Sequence, residues 1–343
     1  MAIYDELGFY LLAGGAPDPR ELIEEVRQGE TLGLGSAFIS ERYDIKEAAT
    51  LCGAAAAVSS DLQIVTAATN HNTRHPIVTA SHATTMAALT RGRYTLGLGR
   101  GIPLMQQING MSAITTAQME EFALLMRRLW SGETVFGYEG ALGSFPMLRI
   151  ADADAYPIRL ALVAFGPNSL ELGGRCFDDV ILHTFFTDET LQRCVATVKS
   201  AAERAGRDPD DVRVWSCYAT VGDHIPEPLR LKKTVGRLAT YLQGYGDLMV
   251  STNGWDPAAL AAFRAHPVVS SFLGAIDKSA TTEQLEQIAE AIPHEWLEPA
   301  ATGSAAQCAA AVRRQMELGA DAVIMHGATP SELAPVVEAY AAG

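Results

Sequence analysis

Apolar positions along the chain fall into two alternating patterns. Short runs rich in Val, Ile, Leu, Phe and Tyr, bounded by Gly, Pro or polar residues, predict strands, and longer stretches with apolar residues at helical spacing predict helices. Reading from the start, a first strand is expected at Leu7–Leu12, and Pro19 opens a helix reaching about Glu30. The Leu32-Gly33-Leu34-Gly35 turn leads to a second strand, Ala37–Ser40, then a helix over about Ile45–Ser59 and a third strand at Leu62–Ala68. Pro76 suits the first turn of a third helix, which ends near Thr90 with Gly92 as its left-handed cap, before a fourth strand at Tyr94–Leu98. A Gly-, Met- and Gln-rich loop, a helix over Thr116–Trp130 and a hairpin over Val135–Ile150 come next. The remaining strands are Arg159–Val163, Asp179–His183, Val212–Thr220 and Ala322–Met325, with helices at Glu189–Ala205, at Ser304–Leu318 and from Ser331.

Strands that alternate with helices predict a parallel sheet wound with helices. The strand count of eight makes that sheet a (β/α)₈ barrel. Such a barrel needs about 250 residues, so 343 residues accommodate one barrel domain over 1–343 with insertions. The chief insertion is the stretch from about Gly222 to Thr302, which holds several helical patterns and no clear strand.

Composition narrows the class. A chain that is 48% hydrophobic and 19% charged is an ordinary globular sequence. No apolar run reaches the roughly 18 to 20 residues of a membrane span, and Met1–Tyr10, carrying Asp5 and Glu6, lacks the basic leader of a signal peptide. Cys52, Cys176, Cys194, Cys217 and Cys308 are scattered, with no CxxC pair and no metal-ligand spacing. Reduced thiols in the cytoplasm are the expectation. A formal net charge of −14 argues against a nucleic-acid partner, which needs a basic face.

That charge is unevenly spread. Between Asp61 and Glu120 there is no acidic residue, while Arg74, Arg91, Arg93 and Arg100 fall inside the window along with His71, His75 and His82. The stretch is either a solvated patch or an anion-binding rim.

The active face of a barrel is formed by the strand C-termini and the loops after them. The residues delivered there are Ser40, Glu41 and Arg42; Thr69, Asn70, His71 and Arg74; Gly99, Arg100 and Gly101; Ala164, Phe165, Gly166 and Asn168; His183; and His326 with Gly327. Gly97-Leu98-Gly99-Arg100-Gly101 is a poor dinucleotide fingerprint because Ile102 occupies the third glycine position. Its glycines either let a ring or phosphate approach the backbone or serve tight packing at the rim. Ala164-Phe165-Gly166-Pro167-Asn168-Ser169 opens a helix whose N-terminus attracts an anion, with Asn168 or Ser169 also readable as a plain cap. His75 reads as a helix-entry residue and His82 as a packed or solvated one. His71, His183 and His326 sit at strand ends within reach of a substrate.

These residues resemble the luciferase-like monooxygenase superfamily, particularly its branch that uses the deazaflavin coenzyme F420. The resemblance rests on Leu34-Gly35-Ser36-Ala37-Phe38-Ile39-Ser40-Glu41-Arg42, on Thr66-Ala67-Ala68-Thr69-Asn70 with Thr73-Arg74-His75-Pro76, on Ala83-Thr84-Thr85-Met86, Arg91-Gly92-Arg93 and Leu96-Gly97-Leu98-Gly99, and on Gly319-Ala320-Asp321-Ala322-Val323. It spans nearly the whole chain, and the block from the third to the fourth strand is its most specific part.

The resemblance implies a (β/α)₈ barrel with a cofactor ring across the strand C-termini and a non-prolyl cis peptide after the third strand, which falls between Ala67 and Ala68. It implies cofactor contacts at Ser40, Glu41, Ala67, Ala68 and Asn70, and contacts to the phosphate and lactyl tail at Gly99, Arg100, Gly101, Ala164, Phe165 and Gly166. The expected function is F420-dependent hydride transfer involving a small organic substrate, with Glu41, Arg42, His71 and His183 as candidate catalytic groups, in a homodimer. Glucose-6-phosphate dehydrogenases of this branch carry an acid-His pair after the second strand and a Glu after the fourth-strand glycines. Glu41-Arg42 and Ile102 stand there in this chain, which puts sugar-phosphate oxidation in doubt. The alternatives are an FMN-dependent monooxygenase of the same superfamily, a non-catalytic F420 or flavin carrier, and a phosphate-binding barrel lyase.

Overall fold

In the computed structural model, residues 3–13, 15, 17–153 and 155–343 are described. The chain runs β1 (Tyr4–Tyr10), α1 (Glu21–Thr31), β2 (Leu34–Ile39), α2 (Ala48–Val58), β3 (Gln63–Thr66), α3 (Pro76–Thr90), β4 (Tyr94–Leu98), α4 (Pro103–Ile108) and α5 (Thr116–Trp130). The hairpin β5 (Val135–Gly140) and β6 (Gly143–Leu148) follows, then β7 (Arg159–Val163), α6 (Pro167–Cys176), β8 (Asp179–Ile181), α7 (Asp188–Arg204) and β9 (Arg213–Gly222). Six helices come next: α8 (Glu227–Leu231), α9 (Arg237–Asn253), α10 (Pro257–Ala265), α11 (Pro267–Ser270), α12 (Ile276–Ser279) and α13 (Thr282–Ala291). The chain ends with β10 (Ala301–Gly303), α14 (Ala305–Glu317), β11 (Ala322–His326) and α15 (Pro330–Ala342).

Eight parallel strands, in the order β9-β11-β1-β2-β3-β4-β7-β8, close through the β8–β9 pairing, making a (β/α)₈ barrel. Two-residue alternation sorts the side chains of each strand between its two faces. Phe38, Val65, Ala67, Ala161, Ile181, Trp215, Ala322 and Ile324 fill the barrel. Their neighbours Ala37, Ile39, Ile64, Leu160, Leu162, Val323 and Met325 pack outward under the helices. Inside, Phe38 meets Trp215 edge-on with ring centroids 4.9 Å apart, so the lumen is a packed core whose ligand space is confined to the mouth.

Several boundaries differ from expectation. β2 begins at Leu34 instead of Ala37 because it pairs early with β1, Tyr4 opposite Leu34. The left-handed cap of α3 is Arg91 (φ 53°), with Gly92 following at φ 86°. The insertion closes with a strand where none was expected: β10 is only three residues long and pairs with the end of β9. The rest of the insertion is helical and has its own apolar cluster, in which Trp255 stacks on Trp296 at 4.6 Å. Phe185 and Ala219 of the barrel belong to that cluster, so the insertion is seated on the strand C-termini. None of the helices among the described residues is long and apolar enough to cross a membrane.

Candidate functional site

One wall of the mouth is built by the ends of β2, β3 and β4. The peptide between Ala67 and Ala68 is cis, at the position the resemblance implies. Backbone pairing holds this segment on both sides: Ala67 N–H donates to Ile39 O (2.7 Å), Glu41 N–H to Ala68 O (3.1 Å), Thr69 N–H to Gly97 O (3.0 Å) and Gly99 N–H to Thr69 O (2.9 Å). The close approach of β3 explains two glycines. A methyl group at Gly97 would lie 1.8 Å from Thr66 O, and one at Gly99 would lie 2.9 Å from Ala68 Cβ. Gly97 therefore serves strand packing.

Glu41 is almost fully enclosed. It accepts hydrogen bonds from Ala48 N–H (2.9 Å) and Thr69 Oγ1 (3.0 Å) and faces Arg74 at 3.6 Å. Its carboxylate thus ties the β2 loop to α2 and to the β3 loop. Ser40 is partly exposed beside it. Asn70 donates to Gly99 O at 2.6 Å and accepts from the Tyr43 hydroxyl, joining three loops.

Arg100 is the cation of this wall. It is half-buried, donates to the Thr116 hydroxyl, and has no ion pair among the described residues. Next to it, Gly101 adopts φ 69° against Gln106. That side chain is 2% exposed, donates to Arg100 O at 2.5 Å and keeps an unpartnered Oε1. Gly166 at the start of α6 lacks a side-chain cap; Asn168 and Ser169 do not fill that role. An arginine without an ion pair after β4, a helix start without a side-chain cap after β7, and small residues at Ala67, Ala68 and Ala164, all at strand C-termini, suit an anionic, flat-ringed ligand.

The arginine-rich window divides between the two ends of the barrel. Arg91 and Arg93 precede β4 and lie at its opposite end, where Arg93 donates to Leu62 O. Arg74 pairs with Glu41 and Glu47. Arg100 alone among the four is left unpaired at the mouth. His75 caps α3 by accepting from Ile77 N–H at 3.2 Å, and His82 is bonded to the Tyr94 hydroxyl at 3.0 Å. His71 turns away from the mouth cluster and stacks on Phe122 at 5.1 Å. Its burial brings the imidazole pKa down to about 4 and leaves Nε2 without a partner.

The opposite wall is aromatic and is roofed by α9. Lys233, just before α9, donates to Gly327 O (2.7 Å) and pairs with Glu332 (2.9 Å). Further along, a methyl group at Gly244 would touch Ile102 (3.6 Å) and one at Gly166 would touch Leu248 (3.8 Å). α9 thus crosses from the end of β11 to the loops after β4 and β7. Within it the backbone leaves helical geometry at Tyr245 (φ −151°, ψ 35°), between Gly244 and Gly246.

Beneath α9, His183 is ringed by Phe165 (4.6 Å), Tyr241 (4.7 Å) and Tyr245 (5.1 Å). Its Nε2 lies 3.0 Å from the Tyr245 hydroxyl and its Nδ1 lies 3.0 Å from Thr184 O. Tyr241 reaches toward His326 Nε2 at 3.5 Å, and Tyr10 meets His326 edge-on at 5.2 Å. Tyr10, His183, Tyr241, Tyr245 and His326 are each partly exposed and line one recess. Burial holds the His183 pKa near 4. It also pushes His326 well below the usual imidazole range, aided by Arg237, His183, Arg42 and Lys233. Burial raises the phenols of Tyr10, Tyr241 and Tyr245, so the recess is uncharged at neutral pH. Behind it, Arg237 and Asp277 form an enclosed ion pair at 2.9 Å. The Arg42 side chain has no hydrogen bond among the described residues, and its charge acts on Tyr241, Tyr245 and His326.

The mouth therefore brings together Arg42, Ala67, Phe165, His183 and His326 from the sequence-level candidates, and it excludes His71. Tyr10, Tyr241, Tyr245, Arg237 and Asp277 were not anticipated. The one available signal was the i, i+4 spacing of Tyr241 and Tyr245, which places both on one helix face. The two open depressions of about 340 and 480 Å³ that border Asp5, Gln63 and Arg213 lie at the N-terminal ends of the strands. The larger is also bordered by Arg159 and Asp321, which are ion-paired to Asp179 and Lys199.

Comparison with known proteins follows the same geometry. The family model described as luciferase-like monooxygenase matches residues 6–322. A 5,10-methylenetetrahydromethanopterin reductase of Methanolobus tindarius is 27% identical over 238 residues, covering 68% of this chain and 70% of that protein. An F420-dependent glucose-6-phosphate dehydrogenase of Amycolatopsis mediterranei (strain U-32) is 23% identical over 333 residues, 90% of this chain and 89% of that one. Among solved structures, the coenzyme F420 dependent tetrahydromethanopterin reductase from Methanopyrus kandleri superposes with a TM-score of 0.79 at 18% identity, over 98% of each chain.

Proposed function

The chain belongs to the luciferase-like monooxygenase family, and from that premise we propose that it is a coenzyme F420-dependent oxidoreductase acting on a small organic substrate. Curated relatives matched over most of their length are F420-dependent enzymes, which supports the reading. The observation that carries the reading is Arg100: a half-buried cation without a carboxylate partner among the described residues, at the end of β4, the strand paired with β7, whose following helix α6 starts without a side-chain cap. In a chain of net charge −14, such a site selects an anion, and F420 carries a phosphate and a polyglutamate tail.

The deazaflavin, when bound, supplies hydride exchange at its C5. The rest is the chain's work. Gly99, Arg100, Gly101 and the start of α6 would hold the phosphate end, and Ser40, Ala67, Ala68 and Asn70 would border the ring. Glu41, with both oxygens occupied, fixes the loop that carries Arg42. α9 covers the mouth and limits water. We extend the reading to a homodimer, as the resemblance implies, and to the cytoplasm, as the scattered cysteines suggest. Titration of the purified chain with F420 by fluorescence tests the proposal; FMN binding with no measurable F420 affinity would replace it with the monooxygenase alternative.

A further inference from the structure

The contacts of His183 fix where its proton sits. Thr184 O, 3.0 Å from Nδ1, is a carbonyl and can only accept, so Nδ1 carries the hydrogen. Nε2 then presents its lone pair to the Tyr245 hydroxyl at 3.0 Å, and the phenol must be the donor. With its own hydrogen directed at His183, Tyr245 Oη keeps its lone pairs free, and it makes no further hydrogen bond among the described residues. The kink at Tyr245, between two glycines, sets this phenol under the roof; a methyl group at Gly246 would lie 2.9 Å from Leu260, so the kinked segment packs closely on α10. Tyr245 and His183 both border the recess with Tyr10, Phe165, Tyr241 and His326.

We propose that Tyr245 and His183 form a proton relay in which Tyr245 Oη takes the hydroxyl proton of an alcohol substrate while its own proton passes to His183 Nε2. The inference rests on the deazaflavin reading for one half of the chemistry, the electrons. The carbinol C–H bond breaks, its electron pair leaves as hydride to the oxidised deazaflavin, the O–H bond breaks, and the carbinol becomes a carbonyl. The proton ends on His183, whose Nδ1–H stays bonded to Thr184 O, and is then lost to water. Tyr245 touches substrate and is catalytic.

The geometry, not the electrostatics, sets the path: His183 is neutral at pH 6–8 with its Nε2 lone pair on the phenol. The charges of Arg237 and Arg42 counter part of the burial that raises Tyr245, and the carboxylate of Asp277 is occupied by Arg237. Tyr10, Tyr241, His326 and the Cys217 thiol, the other titratable groups around the recess, are uncharged at neutral pH. With walls of aromatic rings, the recess suits a secondary alcohol with an apolar body. A substrate whose reacting carbon bears no hydroxyl has no use for the relay.

The full chain labelled with ¹⁵N-histidine, without cofactor, tests the relay directly. The expected His183 signals are those of a neutral Nδ1–H tautomer throughout pH 6–8, with the Nε2 resonance moving on Tyr245→Phe as the phenol donor is lost. An Nε2–H tautomer, or no movement in the folded variant, overturns the relay. With F420 present, propan-2-ol, cyclohexanol and 1-phenylethanol serve as probes. Tyr245→Phe and His183→Gln should slow oxidation about 100-fold or more and leave F420 affinity within about twofold. Unchanged turnover in either variant, or no turnover of any of these alcohols by a chain that binds F420, contradicts the relay. If F420 does not bind, the deazaflavin reading falls, and the tautomer measurement still decides the relay.

Discussion

The two walls of the barrel mouth are made in different ways. On the β2–β4 wall, polar side chains are tied to backbone across neighbouring loops, Glu41 to Ala48 and Asn70 to Gly99, beside Arg100, a cation with no ion pair among the described residues. On the α9 wall, aromatic rings and neutral histidines from distant segments meet under a helix, with the enclosed charges of Arg237 and Asp277 paired. The difference underlies the different ligands we propose for the walls: an anion for the one with Arg100, and an uncharged substrate, with its proton, for the one of uncharged rings.

The largest expected effect tests whether the α9 wall depends on its ion pair. Asp277→Ala leaves Arg237 enclosed and unpaired, which should cost about 3–5 kcal/mol of stability in denaturant unfolding, with F420 affinity of the folded protein little changed. A loss well under 1 kcal/mol would mean that the pair does not hold the roof. Next, Arg100→Ala should weaken F420 binding about 10- to 100-fold, since a hydrogen bond to a charged group contributes about 1.5–3 kcal/mol. Binding unaffected by this change would remove the anion from the β2–β4 wall.

A smaller effect is expected from pH. His71, 6% exposed, has its pKa lowered to about 4 against about 6.5 in an unfolded chain. The unfolded state therefore binds the extra proton as pH falls, so the stability is complete above about 6.5 and is lost toward 4. The loss for His71 is about 2 kcal/mol at pH 5. His71→Gln should flatten the unfolding profile between pH 7 and 5, and an unchanged slope would contradict the burial of this imidazole. The smallest effect belongs to Gly101→Ala, which forces a side chain into φ 69° at about 1–2 kcal/mol. Thermal unfolding should register that cost, with a modest decline in F420 affinity beside Arg100.

The walls also differ in how far the sequence disclosed them. Gly99, Arg100, Asn70 and the Ala67–Ala68 peptide could be placed because each follows directly on a strand, and a strand's end in a parallel barrel fixes which face its next residues occupy. The same local logic found all eight barrel strands and missed β10, whose three residues carry no alternation. Composition alone overreached: Arg91 and Arg93 stand near Arg100 in sequence, yet β4 separates them from it by its full length. The α9 wall needed long-range information. Tyr245 meets His183 across 62 residues and Tyr241 meets His326 across 85, pairings set by how the insertion folds back over the barrel. Glycines carried a mixed message, since Gly97 answers to the Thr66 carbonyl and not to a ligand.

We propose that the β2–β4 wall selects a deazaflavin through Arg100. Side-by-side fluorescence titration of the wild-type chain and Arg100→Ala with F420 and FMN tests it most directly. The account predicts F420 binding by the wild type, in preference to FMN, and a 10- to 100-fold loss of F420 affinity in the variant. FMN binding with no measurable affinity for F420, or equal F420 affinity in the two proteins, would contradict it.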